Sequence, residues 1–424
     1  MSRLDLVIFG ATGAAGKQVV IYMVNLAKKY DLGTWGVAGR SRTKLDALIA
    51  EVSKITGDDL ANVSLIVADV GDEKSLQDMC AQAKLVLNCC GPYRLYGEPV
   101  VKAAVENKTN YIDISGEPQF MESMQIQYDE KAREAGVFVI SACGWDSIPA
   151  DMGVTFLKQN FRGTLNSVES YLSFYLPPEC DKEAKEHGVI GTGTWESIIY
   201  GMASQHEIKG LARAMEKAYP EPLPQTKPVV KQKILHKKDD VWYLPFPGAD
   251  ESVVGRTQRY LYFNERQRPV QFQAYFKTGT LGTSIGTIFN SVTLLTMANS
   301  GCTQKYLLNS PKYWSGGYVT KEGPTDGVMK NTHFTFELVG KGWEDGANVD
   351  KMPPNKTVVA KVTGKNPAYG STVVAVLMCA HCVLRERHHM PANGGVMTPG
   401  SAFKNTTLIQ KLIENDLKYE IISK

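Results

Sequence analysis

Residues 8–16 read Ile-Phe-Gly-Ala-Thr-Gly-Ala-Ala-Gly, and the glycines Gly10, Gly13 and Gly16 are spaced for phosphate binding. In a strand–turn–helix the first glycine permits the tight turn. The second lets the backbone approach a pyrophosphate, and the third packs helix against strand. The helix start then offers free N–H groups and the positive end of its dipole. Gly10, Ala11, Thr12, Gly13 and Gly16 are therefore candidate cofactor-binding residues, with a plain turn carrying chance glycines as the alternative. After the next apolar run comes Arg40-Ser41-Arg42, with Lys44 nearby. Asp or Glu usually stands here to bind a free ribose 2′-hydroxyl, whereas a guanidinium suits a 2′-phosphate. Arg40 and Ser41 thus favour NADP over NAD, against the plainer reading of a solvated basic loop.

Other chemistry-bearing residues also follow apolar runs. Asp69 stands where such a fold flanks an adenine, or where a helix leading to Glu73 is capped. Cys89-Cys90-Gly91-Pro92-Tyr93 combines small side chains with a Gly-Pro stop. Cys90, Gly91 and Pro92 are placed beside the nicotinamide end of the cofactor, although the cysteines also read as simply buried. Tyr93 and Tyr96 are phenols that could donate a proton or stack. Asp113 and Glu117 flank Ser115 and Gly116. They could accept a proton or orient a substrate ammonium, and turn formation and capping compete with that reading. Tyr93, Asp113 and Glu117 are the catalytic candidates. Asp146 and Asp151 stand at a hinge, as site residues or, for Asp151, as a helix cap. Cys379-x-x-Cys382 with His381, His388 and His389 offers metal-ligand types. The cysteines fall within the apolar helical run Val373–Leu384, so packing is expected and no metal site is assigned.

These residues need a frame. Apolar runs at Leu4–Phe9, Thr34–Ala38, Val63–Val67, Leu85–Cys89, Tyr111–Ile114 and Val137–Ile140 read as strands. Helical patterns at Ala14–Lys28, Thr43–Thr56, Glu73–Cys80, Glu98–Asn107 and Met121–Ala135 separate most of them. Alternating strands and helices imply right-handed crossovers and a parallel sheet, with ligands at the carboxyl ends of the strands. From Leu165 the pattern changes. Val168–Tyr175, Gln271–Lys277, Thr332–Val339 and Lys356–Thr363 read as strands of a mostly antiparallel sheet, and Tyr219–Pro228 as a loop or linker. The expected class is α/β: an N-terminal Rossmann-type parallel sheet with a second α+β domain. Its expected divisions are residues 1–150 for the dinucleotide and 151–370 for substrate or dimer contacts. Residues 371–424 are expected to return helices and a strand to the first domain.

The chain's 424 residues, 43% hydrophobic and 21% charged, suit a folded protein of two or three domains. A net charge of +3 without a basic block gives no sign of nucleic-acid binding. The N-terminus lacks a signal-peptide core, so an intracellular, cytoplasmic location and reduced thiols are expected. Gly191-Thr-Gly-Thr-Trp195 suits a cleft lining, but reads better as an irregular turn before a helix at Glu196–Met202. Residues 278–304 carry no charge, and Leu281, Ile285, Ile288, Phe289, Val292 and Leu295 recur there at helical spacing. This helix either packs on its own protein or a second copy, or meets a lipid-droplet or membrane surface.

Together, several segments resemble the saccharopine dehydrogenase-like oxidoreductases of animals. They are Gly-Ala-Thr-Gly-x-x-Gly, Ala-Gly-Arg-Ser-Arg-x-Lys-Leu, Asn-Cys-x-Gly-Pro-Tyr-Arg-x-Tyr-Gly-Glu-Pro-Val, Asp-Ile-Ser-Gly-Glu-Pro-Gln-Phe and Asp-Ser-Ile-Pro-Ala-Asp. The stretches Arg256–Tyr262 and Gly394–Gly400 fit too, so the likeness covers nearly the whole chain. The resemblance implies an NAD(P)-dependent hydride transfer to or from a carbonyl, imine or secondary amine, and relatives similar to lipid-droplet proteins. It supplies no substrate and no catalytic residue. The rival class is a non-enzymatic protein of the same fold holding a cofactor, lipid or pigment.

Overall fold

The computed structural model describes residues 2–349 and 351–423. Among them the strands are, in chain order, β1 Leu4–Phe9, β2 Trp35–Gly39, β3 Ser64–Val67, β4 Ala83–Asn88, β5 Asn110–Asp113, β6 Phe138–Ile140 and β7 Gly163–Tyr175. There follow β8 His236–Lys238, β9 Val241–Pro245, β10 Gln271–Gly279, β11 His333–Glu344, β12 Lys356–Lys365, β13 Gly395–Met397 and β14 Lys418–Ser423. The first six helices are α1 Ala14–Leu26, α2 Arg42–Thr56, α3 Glu73–Ala81, α4 Tyr93–Glu106, α5 Pro118–Ala135 and α6 Ser147–Asn160. Two compact units result. One joins residues 1–145 to 369–415, and the other joins 146–368 to 416–424.

The first unit is built on a seven-stranded sheet of order β13-β6-β5-β4-β1-β2-β3, parallel throughout. Its strands are near-continuous apolar runs because helices cover both faces: Leu6, Val7 and Ile8 of β1 and Leu85, Val86 and Leu87 of β4 have no exposed surface. The order reverses between β1 and β4, where Phe9 pairs with Asn88. In such sheets the crevice at that reversal is the ligand site. The seventh strand, β13, was not among the expected strands; it adds Gly395–Met397 beside β6. The helical segment Pro367–Arg385 is long and apolar enough to cross a membrane, yet most of it is buried, and its α-helix Thr372–Arg385 packs on β4, β5 and α1 as a core helix.

The second unit is built on a mixed seven-stranded sheet of order β14-β12-β11-β7-β10-β9-β8, in which only β7 and β10 are parallel neighbours. The terminal strand β14 pairs with β12 in this sheet, whereas the reading of the sequence sent it to the first domain. Its alternation explains the pairing: Tyr419 turns inward and is 6% exposed, while Lys418 and Glu420 turn outward. The hairpin β8–β9 was also unforeseen. Tyr219–Pro228 holds no regular element, and Arg259 donates to the Tyr219 and Glu221 carbonyls at 2.6 and 2.7 Å. A cluster of helices completes the unit around buried Trp195, Ile199, Leu294, Ala298, Leu307 and Val319. The helix bearing Trp195 starts at Thr192, so the Gly-Thr stretch forms its first turn rather than an irregular one.

Candidate functional site

The glycine turn is held to the sheet by its own backbone. The Gly10 and Ala11 N–H groups donate to the Ala38 carbonyl of β2 at 3.0 and 3.2 Å. Gly10 has φ +75, and a Cβ there would meet the Cys90 sulfur at 2.7 Å. A Cβ on Gly16 would lie 2.2 Å from the Gly10 oxygen, so both positions demand glycine. Gly13 differs: its φ is −76 and its Cβ would meet only the Gly10 oxygen, at 3.3 Å. It is the N-cap of α1 and no side chain caps that helix. Thr12, Gly13 and Ala14 are exposed. The first N–H groups of α1 are thus open to an anion from solvent.

The arginine loop separates its two guanidinium groups. Arg42 pairs with Asp46 one turn along α2, at 3.3 Å. Ser41 caps α2 by accepting from the Lys44 N–H at 3.3 Å. Arg40 is exposed and has no hydrogen bond or ion pair among the described residues. It lies within electrostatic reach of Cys90, as does Asp69: burial pushes the Cys90 thiol up to about 11, with Arg40 pulling it down and Asp69 raising it. The ends of β1, β2, β3 and β4 therefore converge. Asp69 accepts from the Gly71 N–H at 2.8 Å and shapes its own turn. The cap of α3 is Asp72, which corrects the alternative that Asp69 serves that purpose.

Beyond Cys90 the site is lined by a buried polar network. The Cys90 N–H donates to Asn88 Oδ1 at 2.9 Å, and Asn88 Nδ2 donates to the Tyr111 hydroxyl at 3.1 Å. That hydroxyl donates to Asp113 Oδ2 at 2.9 Å. Asp113 also accepts from the Ser141 hydroxyl and the Ser115 and Ala142 N–H groups, at 2.9, 2.9 and 3.1 Å. The carboxyl has no exposed surface; burial pushes it up to about 6 against the pull of these bonds. Glu117 accepts from the Tyr93 and Arg94 N–H groups at 2.9 and 3.0 Å, capping α4 in place of Pro92, which offers no polar side chain. The Tyr93 hydroxyl donates to the Asn88 carbonyl at 2.9 Å, and its ring lies 5.7 Å from that of Phe120. Burial pushes the phenol well above its usual range. Gly91 is exposed, and the Gly91–Pro92 peptide is cis. Asn88, Tyr111 and Ser141 went unread in the sequence, where isolated polar residues in strand ends carry no distinguishing spacing.

Two further groups of ligand-type side chains are present. In the first unit His381, Cys382 and Glu386 place their atoms within 4.8 Å of one another. Lys411 Nζ lies 3.0 Å from Glu386 Oε1, and Thr407 donates to both oxygens of the same carboxylate. An ammonium already holds the place a cation would take, so this donor set does not fit a metal. In the second unit Asp146, Asp151 and Asp250 are in electrostatic contact. Asp151 accepts from the Thr257 hydroxyl at 2.7 Å. Asp146 caps α6 from a strained backbone, φ +74 and ψ −70. Asp250 is 1% exposed and neither carboxylate oxygen has a hydrogen-bond partner among the described residues. Nothing in the sequence ties it to Asp146 or Asp151, a hundred residues away.

The chain as a whole has relatives among known proteins. A family model described as the saccharopine dehydrogenase NADP binding domain matches residues 6–140. A human protein named saccharopine dehydrogenase-like oxidoreductase is 39% identical over 99% of this chain and 97% of its own length. A Caenorhabditis elegans protein named lipid droplet localized protein is 36% identical over 100% of this chain and 99% of its own. The apo, histidine-tagged saccharopine dehydrogenase (L-Glu forming) of Saccharomyces cerevisiae shares the fold, with a TM-score of 0.54 at 16% identity, covering 99% of this chain and 100% of the yeast chain. The chain belongs to the saccharopine dehydrogenase-like oxidoreductases and carries their NADP-binding domain at its N-terminus.

Proposed function

We propose that the chain catalyses NADP-dependent hydride transfer to or from a carbonyl, imine or secondary amine. The observation that carries the choice of cofactor is the unpaired Arg40 beside an uncapped α1. Gly10–Gly16 and the first N–H groups of α1 would hold the pyrophosphate. Arg40 and Ser41 would hold the 2′-phosphate, the Asp69 turn would flank the adenine, and Cys90, Gly91 and Pro92 would border the nicotinamide. Bound there, NADP takes or gives a hydride. Of the catalytic candidates, Asp113 and Glu117 act as positioning residues, because the Asp113 oxygens are engaged by Tyr111, Ser115, Ser141 and Ala142 and the Glu117 oxygens by the first N–H groups of α4. Tyr93 remains the candidate proton donor, its phenol kept protonated by burial. The test is NADPH binding followed by cofactor fluorescence. Arg40→Ala is expected to weaken NADPH about tenfold or more, the worth of one charge-assisted phosphate contact, and NADH little. Equal effects on both cofactors would refute the 2′-phosphate assignment. Absence of NADPH binding by the intact protein would remove the enzymatic reading.

A second reading concerns location. The exposed apolar stripe of the helix Leu281–Ala298, together with the name of the worm relative, supports attachment to a lipid surface. Flotation of the purified protein with liposomes tests it. Failure to float at any protein-to-lipid ratio would end this reading.

A further inference from the structure

The charge-free helix turns most of its apolar stripe outward. Leu281, Ile285, Phe289 and Val292 are 43, 55, 75 and 58% exposed, at positions i, i+4, i+8 and i+11 of one face. The buried residues are Ser284, Leu294 and Ala298. The stripe is therefore not packed within its own chain, which leaves a second copy or a lipid surface to cover it. Its 18 residues give a length of about 27 Å, close to the ~30 Å hydrocarbon core of a bilayer. Length alone would allow a span, and the anchoring of its ends decides otherwise. At the N-terminal end the Ser284 hydroxyl bonds Thr278 Oγ1 at 2.6 Å, and Thr278 donates to the Trp242 carbonyl in β9 at 3.0 Å. At the C-terminal end Leu294 and Ala298 enter the cluster of Trp195, Ile199 and Leu307. Both ends are held by the same folded unit, so a span would require extracting one of them.

Three threonines of the helix suit an apolar surface. Thr287, Thr293 and Thr296 each donate to the carbonyl four residues back, at 2.8, 3.0 and 2.8 Å. Their hydroxyls are satisfied within the helix and need no water. The two helices that follow expose Tyr306 and Tyr313, with Lys305 and Lys312 beside them, and Tyr318 is exposed just after them. Such residues favour the headgroup layer.

Resting on the lipid-surface reading, we propose that the helix Leu281–Ala298 lies in the plane of a phospholipid surface, its stripe immersed and both ends on the same side. The helix carries no charge, so neutral phosphatidylcholine suffices as the partner. Cys302, the one exposed cysteine of the eight, sits just beyond the helix and reports its topology. The experiment uses the full chain with sealed phosphatidylcholine vesicles. Flotation comes first, and Phe289→Asp is expected to lower partitioning about tenfold or more. An impermeant maleimide added outside should then label Cys302 of bound protein as fully as in detergent, read by peptide mass. A tryptophan introduced as Phe289→Trp should be quenched more by lipids brominated near the headgroup than near the chain ends. Flotation with Cys302 protected would mean a span and overturn the proposal while leaving the lipid reading intact. Flotation unchanged by Phe289→Asp would place contact elsewhere. An intact protein that does not float, but whose dimer is split by Phe289→Asp, would make the stripe an interface between copies.

Discussion

Among the described residues Asp250 is buried with both oxygens unpartnered, and the carboxylates of Asp146, Asp151 and Glu251 act on it electrostatically. Burial first, and these neighbours second, push its pKa well above the ordinary value. Asp146 is likewise pushed up to about 6 by burial. A raised carboxyl pKa costs no stability below the unfolded value near 3.8. The cost grows as pH rises through that value, because the unfolded carboxyl ionises before the folded one. Asp250→Asn keeps the shape and removes the titration. The variant is expected to melt a few degrees above the parent at pH 8 and within a degree of it at pH 4, by calorimetry at matched ionic strength. A variant less stable at pH 8 would mean that an ionised Asp250 is held by a cation in solution. Asp113 contrasts with it, since four donors surround that carboxyl. Asp113→Ala should cost about 2–4 kcal/mol in urea unfolding, because Tyr111, Ser141 and two peptide N–H groups lose a common acceptor.

At the scale of the element, the glycine turn separates folding from binding. Gly16→Ala would force a Cβ to 2.2 Å from the Gly10 oxygen and 2.8 Å from Ala11 Cα, both backbone. It is expected to destabilise by several kcal/mol or to prevent folding. Gly13→Ala meets a single oxygen at 3.3 Å from an ordinary φ of −76, so its melting temperature should change little. NADPH affinity should still fall, because the new methyl stands over the open N–H groups of α1. An unchanged NADPH affinity would place the pyrophosphate elsewhere. These glycines, the arginine loop and the strand ends were legible because a parallel sheet writes its ligand site into residues that follow apolar runs. The hydrogen bonding of Asp113 and Glu117 was not legible, since an acid that caps a helix and one that moves a proton look alike in a strand–turn sequence. Nor was the facing of Leu281–Ala298: its periodicity gives an apolar stripe, but only contacts at Ser284, Leu294 and Ala298 show that the stripe faces out. Strand β13 escaped because three residues that open on Gly395, itself at φ +112, carry no usable alternation.

At the scale of the whole molecule, the first unit is assembled from two separated pieces of chain. Residues 369–415 contribute the core helix Thr372–Arg385, in which Val373, Ala375, Val376, Leu377 and Met378 have no exposed surface, and the sheet strand β13. A chain ending at Ala368 would leave β4 and β5 without this cover, and its apolar surface should drive it into aggregates. The two pieces nevertheless meet closely: the Trp145 N–H donates to Thr372 Oγ1 at 3.1 Å. A short glycine–serine linker can therefore join residue 145 to residue 369 directly, with residues 146–368 and 416–424 removed. Every residue assigned here to the cofactor, from Gly10 to Pro92, lies in the part retained. The joined chain is expected to be soluble, to unfold in a single cooperative transition and to bind NADPH within about threefold of the intact protein, a difference under ~1 kcal/mol. Cooperative unfolding with NADPH binding lost would show that the second unit contributes to the cofactor site, and the assignment of that site to the strand ends of the first unit alone would fall.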